Sequence, residues 1–549
     1  MLRLTEENKF VPLTSQEPFE IGSQQAVDKP ETRRSPSLTS QMATGAAWMM
    51  LFKVVDRCTG ILSTAVLARL LAPEDFGLIA LATSIIAVLE VMGAVGLDTA
   101  LVQRVDATEE HFNTVWTFNL IFGIFLAAIV VSLAWPMAKI YGDPRLATVM
   151  LLLGVRQGIQ GFENVGVIAF RKELKFDQEF KYLVIKRLAA TFLVTLPLAF
   201  IIGNYWALLA GILTGTCIAV ALSYVLHPFR PRLSLARLGQ LMSFSKWLYL
   251  TDFVGLFQGR IANLIVGGWV GSAALGELSM AREIASMVTR EVAAPVNRAM
   301  FPGYAHLKSN PSLLQSSYVR VTSVLNLLIM PAGVGVCLLA DPIIFTLLGN
   351  KWGAAVPLLQ VLAINGVLTV FLSTAHHVNL AVGMSRSTSL VLAVHGCVTI
   401  PLLLWLVPIY STFGAAASML IGSIITTPLN FLLLRKAIEF GRREILAIFL
   451  RPTIGSLVMA AAVFAIQSRW HTPAAFLAQF SYLVILSIAG GALYAGVIFF
   501  LWYKQKDSES AEAWILEKVR NMLRTARSQF SRLLAKPLSR SGTESDPGA

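Results

Sequence analysis

Residues 41–71 read QMATGAAWMMLFKVVDRCTGILSTAVLARLL, and this stretch decides the fold. It is long and apolar enough to span a bilayer, which takes about 20 residues. Yet Lys53, Asp56 and Arg57 stand near its middle. A charge at the bilayer centre costs about 3 kcal/mol on insertion scales, so it faces the protein interior or a water-filled cavity. Lys53 and Arg57 are spaced i, i+4 and share one helix face, and Asp56 is placed to neutralise part of that face. Three readings fit: a structural ion cluster, a span that ends before the charges, or a polar cavity that touches substrate. The last is preferred, because Ile61 to Leu71 continue apolar beyond the charges.

The whole chain agrees with a membrane setting. Its 549 residues are 55% hydrophobic and 14% charged, with a mean hydropathy of +0.65. Soluble domains average about 25% charged residues. Apolar segments fall at 42–70, 76–102, 113–136, 146–170, 182–202, 206–227, 241–269, 273–299, 317–340, 355–382, 387–407, 413–434, 450–468 and 479–503. The expected fold is an all-α polytopic membrane protein of about 14 transmembrane helices. Residues 1–41 hold Pro12, Pro18, Pro30 and Pro36 and no secretory signal pattern, so they read as a cytoplasmic disordered tail. Cys58, Cys217, Cys337 and Cys397 form no CxxC or Cys/His cluster, so no metal site, cofactor or disulfide framework is expected.

The net charge of +13 first suggests nucleic acid, but loop topology absorbs most of it. With a cytoplasmic N-terminus, the cytoplasmic loops hold 20 Lys and Arg, among them Arg171, Lys172, Lys175, Lys181, Lys186 and Arg187. The opposite loops hold 5: Arg69, Lys139, Arg145, Lys351 and Arg469. This bias places both termini in the cytoplasm and removes the nucleic-acid reading.

A weak internal repeat runs through the chain. At an offset of 199, Trp48 matches Trp247, Gly77 matches Gly276 and Ala82 matches Ala281. At an offset of 207, Asn119 matches Asn326, Gly142 matches Gly349 and Leu152 matches Leu359. A six-helix duplication follows, and an even number of helices gives both copies the same topology. The division is an N-lobe at 42–230, a C-lobe at 231–436, two added helices in 437–504, and a cytoplasmic tail at 505–549. Within that tail, residues 512–535 alternate apolar and basic side chains at helical spacing. They read as an amphipathic helix on anionic lipid, or as a helix bound to a partner.

Further charges fall inside the apolar segments. Segment 273–299 carries Arg282, Glu283, Arg290 and Glu291, and the three residues Arg282, Arg290 and Arg298 repeat every eight positions. Such a helix cannot face lipid. A helix end followed by a cytoplasmic loop with solvated charges suits Arg298 but not Arg282, and a cavity wall is preferred. Asp252 and Arg260 lie in the preceding segment, Glu90 and Asp98 in the second, and Arg156 and Glu163, spaced for pairing, in the fourth. The adjacent His376 and His377 titrate near neutral pH and are candidates for proton coupling or for simple interhelical bonding. No GxSxG, HExxH or Walker A motif occurs, so neither an enzyme nor an ATP-driven pump is expected.

GAAW at 45–48, LARLLAPEDFGLIALA at 67–82, GLDTALVQR at 96–104 and FRKELKFDQEF at 170–180 resemble the polysaccharide transporter (Wzx-type) flippases. These belong to the multidrug/oligosaccharidyl-lipid/polysaccharide superfamily, and the nearest branch holds colanic-acid and other exopolysaccharide exporters. The resemblance covers about residues 42–500. It implies two pseudo-symmetric six-helix lobes around a central cavity in the bacterial inner membrane, worked by alternating access. The implied substrate is undecaprenyl diphosphate bearing an oligosaccharide repeat, for exopolysaccharide or lipopolysaccharide synthesis, with polymerase and assembly proteins as possible partners. Diphosphate binding then falls to Lys53, Arg57, Arg260, Arg282 and Arg290. Cavity or coupling roles fall to Asp56, Glu90, Asp252, Glu283, His376 and His377. A multidrug exporter or a peptidoglycan-precursor flippase of the same superfamily is the alternative, and a membrane glycan ligase or acyltransferase a remote one.

Overall fold

The computed structural model describes residues 38–91, 97–104, 106–242, 259–436, 438, 441–470, 475–505, 520 and 524. The N-terminal tail, Asp252 and most of the basic C-terminal segment lie outside them, as does the side chain of Arg290. The described residues are built on helices: α1 (Leu38–Leu70), α2 (Pro73–Val91), α3 (Leu97–Gln103), α4 (Glu109–Tyr141), α5 (Pro144–Gln160), α6 (Phe176–Ile202) and α7 (Tyr205–Leu226). Then come α8 (259–269), α9 (Ser272–His306), α10 (Pro311–Leu338), α11 (Ala340–Leu347), α12 (Ala355–Ala381), α13 (Ser385–Leu434), α14 (Arg442–Gln467) and α15 (Phe476–Gln505).

Eight of them, α4, α6, α7, α10, α12, α13, α14 and α15, are long and apolar enough to cross a membrane. Helices α1, α2, α5 and α9 occupy further segments that hydropathy assigned to the membrane, and each carries charge within its length. Helix α13 runs 50 residues, about 75 Å if straight, more than twice a hydrocarbon core. It is broken at Ser411, whose φ of 56° and ψ of −136° are not helical, so its two lengths coincide with the segments expected at 387–407 and 413–434. Helix α6 absorbs Lys181, Lys186 and Arg187, which sequence reading had counted as loop charges.

Packing explains the shape. One buried apolar cluster joins α1, α2, α4 and α5 to α8, α9, α11 and α12 around Leu71, Leu78, Leu275 and Trp352. Away from that joined end, the core divides. Leu97, Leu101, Val115 and Val165 form a cluster among the N-terminal helices, while Tyr304, Tyr318, Phe371 and Ile448 form another among the C-terminal ones. The two groups of helices therefore share one core at one end and have separate cores at the other. Helices α14 and α15 add a further cluster with α10 at Leu339, Met459 and Tyr482.

Glycine makes the joint. A Cβ on Gly77 would sit 1.7 Å from the Ser272 carbonyl oxygen, and one on Gly276 would sit 1.9 Å from that of Pro73. Helices α2 and α9 thus cross with backbones in contact, which small residues permit in membranes. These are the two glycines that the repeat matched. On either side of the crossing, turns dock reciprocally. Trp352 Nε1 donates to the Ala68 carbonyl at 2.8 Å, and the Trp352 ring meets Phe76 edge-on at 5.3 Å. Across the joint, the Tyr141 ring lies where a Cβ on Gly268 would come within 3.2 Å of it. Gly142 and Gly349, also matched in the repeat, both take positive φ, 68° and 93°, in the turns that follow α4 and α11.

Candidate functional site

A polar space runs beside α1 within the N-terminal helices. One chamber of about 580 Å³ is lined by Phe52, Asp56, Arg156, Glu163, Lys186 and Arg187, among others. A second, of about 460 Å³, is lined by Glu90, Asp98, Asn119, Gln157 and Asn164. Gln160, Glu163 and Lys186 line both, so the chambers adjoin.

Local structure aims these groups inward. Helix α6 winds as a π-helix over Ala189–Thr195, two residues before Pro197, which has no N–H to donate. Thr195 Oγ1 donates to the Ala190 carbonyl at 2.9 Å and fills the space a Cβ on Gly211 would need. The turns before the bulge place Lys186 on the lining of both chambers and bring Arg187 to α1. Arg187 Nε lies 3.0 Å from Asp56 Oδ1. Arg156 Nη1 is 4.0 Å from Glu90 Oε1, and its Nε donates to Thr216 Oγ1 at 3.2 Å. Gln157 Nε2 also donates to Glu90, and the Tyr182 hydroxyl donates to Glu163.

Two sequence expectations are corrected here. Asp56 does not neutralise the Lys53–Arg57 face, because α6 presents Arg187 to it from the other side of α1. Arg156 and Glu163 do not pair, because α5 ends at Gln160 and the turn that follows hands Glu163 to Tyr182.

The C-terminal helices enclose a smaller cavity of about 250 Å³, lined by Arg282, Asn365, His395, Thr399, Leu403 and Met419, among others. Arg282 Nη1 donates to Asn263 Oδ1 at 2.8 Å, and Asn263 Nδ2 donates to Ser84 Oγ at 2.9 Å, so this wall is tied to α2.

Between the groups stands Arg57. Its Nη1 lies 3.4 Å from Glu283 Oε1 and its Nε 3.5 Å from Glu291 Oε1, both on α9. Lys53, one turn away, is exposed and makes no ion pair among the described residues. Arg260 opens α8 half-buried. His376 and His377 lie elsewhere. His377 Nδ1 is 2.7 Å from the Ser373 carbonyl, the two rings touch edge-on at 5.7 Å, and neither lines these cavities. Of the sequence candidates, the structure brings Asp56 and Glu90 into the N-terminal chambers, Arg57 and Glu283 into one bridge, and Arg282 into the C-terminal cavity. Asp252 and the Arg290 side chain lie outside the described residues. Lys186, Arg187, Gln157 and Gln160 went unnoticed as lining residues. Lys186 and Arg187 stand next to an apolar run, which was the available signal that they enter the membrane helix.

The sequence profile of the family described as polysaccharide biosynthesis protein matches residues 66–357. The succinoglycan biosynthesis transport protein ExoT of Rhizobium meliloti (strain 1021) is 24% identical over 339 residues, covering 61% of this chain and 68% of that protein. The lipopolysaccharide biosynthesis protein WzxC of Escherichia coli (strain K12) is 22% identical over 340 residues, 60% of this chain and 68% of that one. Among solved structures, the lipid II flippase MurJ in its inward closed conformation superposes with a TM-score of 0.65 at 14% identity, over 83% of this chain and 100% of that chain. That likeness establishes the all-helical fold of a membrane transporter.

Proposed function

We propose that this chain, which belongs to the polysaccharide biosynthesis protein family, is a flippase for a lipid-linked oligosaccharide and not an enzyme. The polar chambers beside α1, enclosed by membrane-length helices, carry the reading. A glycan head group cannot cross hydrocarbon with its hydroxyls bare, because each unsatisfied polar group there costs several kcal/mol. Chambers lined by Asn, Gln, Thr and paired charges replace the water that the head group loses. In this reading the lipid, undecaprenyl diphosphate, keeps its tail in the bilayer and its diphosphate near Lys53 and Arg57. Arg260 on α8 and Arg282 and Arg290 on α9 are assigned to the facing wall. Arg grips phosphate oxygens through two parallel N–H donors, which suits a dense anion.

The division into lobes at 42–230 and 231–436, with helices added in 437–504, is part of the same proposal. So is a bacterial inner-membrane site with both termini cytoplasmic. The basic loops then lie at the end where the cores separate, and the cavity faces the cytoplasm while the Gly77–Gly276 joint seals the periplasmic end. Alternating access follows if the joint opens as the separated ends close.

Translocation of lipid-linked glycan in cells, at matched protein abundance, tests the assignment. Arg57→Ala should lower it about ten- to a hundredfold, the cost of one charge-assisted contact. Arg386→Ala, exposed at the start of α13, should leave it unchanged. Normal transport by Arg57→Ala would reject the cationic site. A reporter after residue 505 should read cytoplasmic and one within 142–145 periplasmic, and the reverse would reject the orientation.

A further inference from the structure

Arg57 is engaged, and its engagement joins the two groups of helices. The guanidinium belongs to α1, whereas both carboxylates that meet it belong to α9. Its neighbour Asp56 is tied to Arg187 within the N-terminal group, so one turn of α1 is anchored on both sides.

The bridge has the properties of a contact made to be exchanged. Its distances, 3.4 and 3.5 Å, exceed the 2.7–2.9 Å of a tight charge-assisted hydrogen bond. The side chains of Glu283 and Glu291 are 41% and 51% exposed and Arg57 is 29% exposed, so water already reaches the bridge. Either carboxylate can swing into solvent at little desolvation cost. An arriving anion meets the two carboxylates as like charges, so they must turn away before it can reach the guanidinium. The two glutamates are eight residues apart, about 12 Å along α9, and meet different nitrogens of the Arg57 guanidinium.

We propose that Glu283 and Glu291 are displaceable counter-ions of Arg57: a diphosphate arriving from the end where the cores are separate exchanges with them, and the exchange unfastens α1 from α9. This rests on the flippase reading and adds what that reading lacks, a way for the cargo to loosen the sealed end. By linkage, a ligand that must break the bridge binds more tightly when the bridge is already broken, and the ligand weakens the bridge by the same factor. The glutamates thereby hold the empty protein sealed at the Gly77–Gly276 joint and restrict opening to the loaded state.

The test uses full-length protein in detergent with undecaprenyl diphosphate and inorganic pyrophosphate as probes. Glu283→Gln combined with Glu291→Gln should bind both probes about tenfold more tightly than wild type, within the usual range of coupling between sites. Each single variant should fall between. Arg57→Lys, which keeps a charge, should bind less tightly than wild type. The second readout is cross-linking of L70C/K351C, placed where Lys351 Nζ donates to the Leu70 carbonyl at 3.4 Å, with the four native cysteines replaced by Ser. Cross-linking should be fast in the empty protein, and slower with pyrophosphate or in the double Gln variant. Unchanged or weaker probe binding by the Gln variants, with wild type binding normally, would overturn the exchange and leave the flippase reading standing. Failure of wild type to bind either probe would overturn both.

Discussion

The polar cavities among the N-terminal helices and the one among the C-terminal helices differ in kind. The N-terminal chambers, about 580 and 460 Å³, are lined by Asp56, Glu90, Asp98 and Glu163 together with Arg156, Lys186 and Arg187. The C-terminal cavity, about 250 Å³, has Arg282 as its one charged lining residue among the described residues, and His395 beside mostly apolar and hydroxyl neighbours. What the halves share is backbone geometry: a glycine on each side of the α2–α9 crossing, and a positive-φ glycine at each of two docking turns. The joint is alike on its two sides while the linings differ. Closure needs symmetry, because each half must meet the other. Recognition of one elongated cargo does not.

The largest expected effect sets the two linings against each other. Arg156→Met removes a cation from the charged chambers and should cut glycan translocation about tenfold or more, leaving Glu90 short of a partner. His395→Ala, in the smaller cavity, should cost less than threefold. Translocation assays on both variants decide it, and a larger loss at His395 would break the contrast.

Next come the shared glycines. Gly77→Ala and Gly276→Ala each force a methyl into a backbone carbonyl, and each should destabilise the folded protein by about 1–3 kcal/mol. Gly491→Ala, in open space, is the control and should be neutral. Thermal unfolding in detergent measures all three. A site that accepts Ala while its counterpart does not would show that the crossing is asymmetric.

A smaller effect sharpens the reciprocal docking. Trp352→Phe keeps the ring against Phe76 but loses the hydrogen bond to Ala68, leaving a buried carbonyl with one partner fewer. A loss of about 1 kcal/mol is expected in the same unfolding experiment. No loss would make that turn a passive neighbour.

The smallest concerns pH. His227 follows α7, its ring against Phe170 and its Nδ1 accepting from the Phe229 N–H at 3.2 Å. Burial pushes its pKa below the usual value, so the neutral ring is favoured in the folded state. The unfolded chain then binds more protons near that value, and stability rises with pH there. The contribution is present above about pH 6.5 and is lost as pH falls toward the folded pKa. His227→Gln should flatten this slope in unfolding measured from pH 7.5 to 5, and an unaltered slope would assign it to other groups.

Much of the architecture was legible without coordinates, because a bilayer imposes a one-dimensional rule. A helix must be apolar for about 20 residues, and charges must lie outside it or face inward. Segment order and the division of α13 near Ser411 follow from that rule, and a sequence match had already paired Gly77 with Gly276, which meet at the α2–α9 crossing. That α1 carries charge within its length, at Lys53, Asp56 and Arg57, was legible for the same reason. Their partners were not. Arg57 meets a carboxylate 226 positions away, and Asp56 meets Arg187, whose place inside α6 depends on where that helix begins. Hydropathy counts how many charges lie within a span and is blind to which way each one points. A rotation of 100° per residue separates Asp56 from Arg57, and it sent one to the N-terminal chamber and the other to α9. Sequence alone therefore determined that this protein crosses the membrane with charges inside it. Tertiary packing decided which charges meet, because only the azimuth of each helix against its neighbours sets those distances.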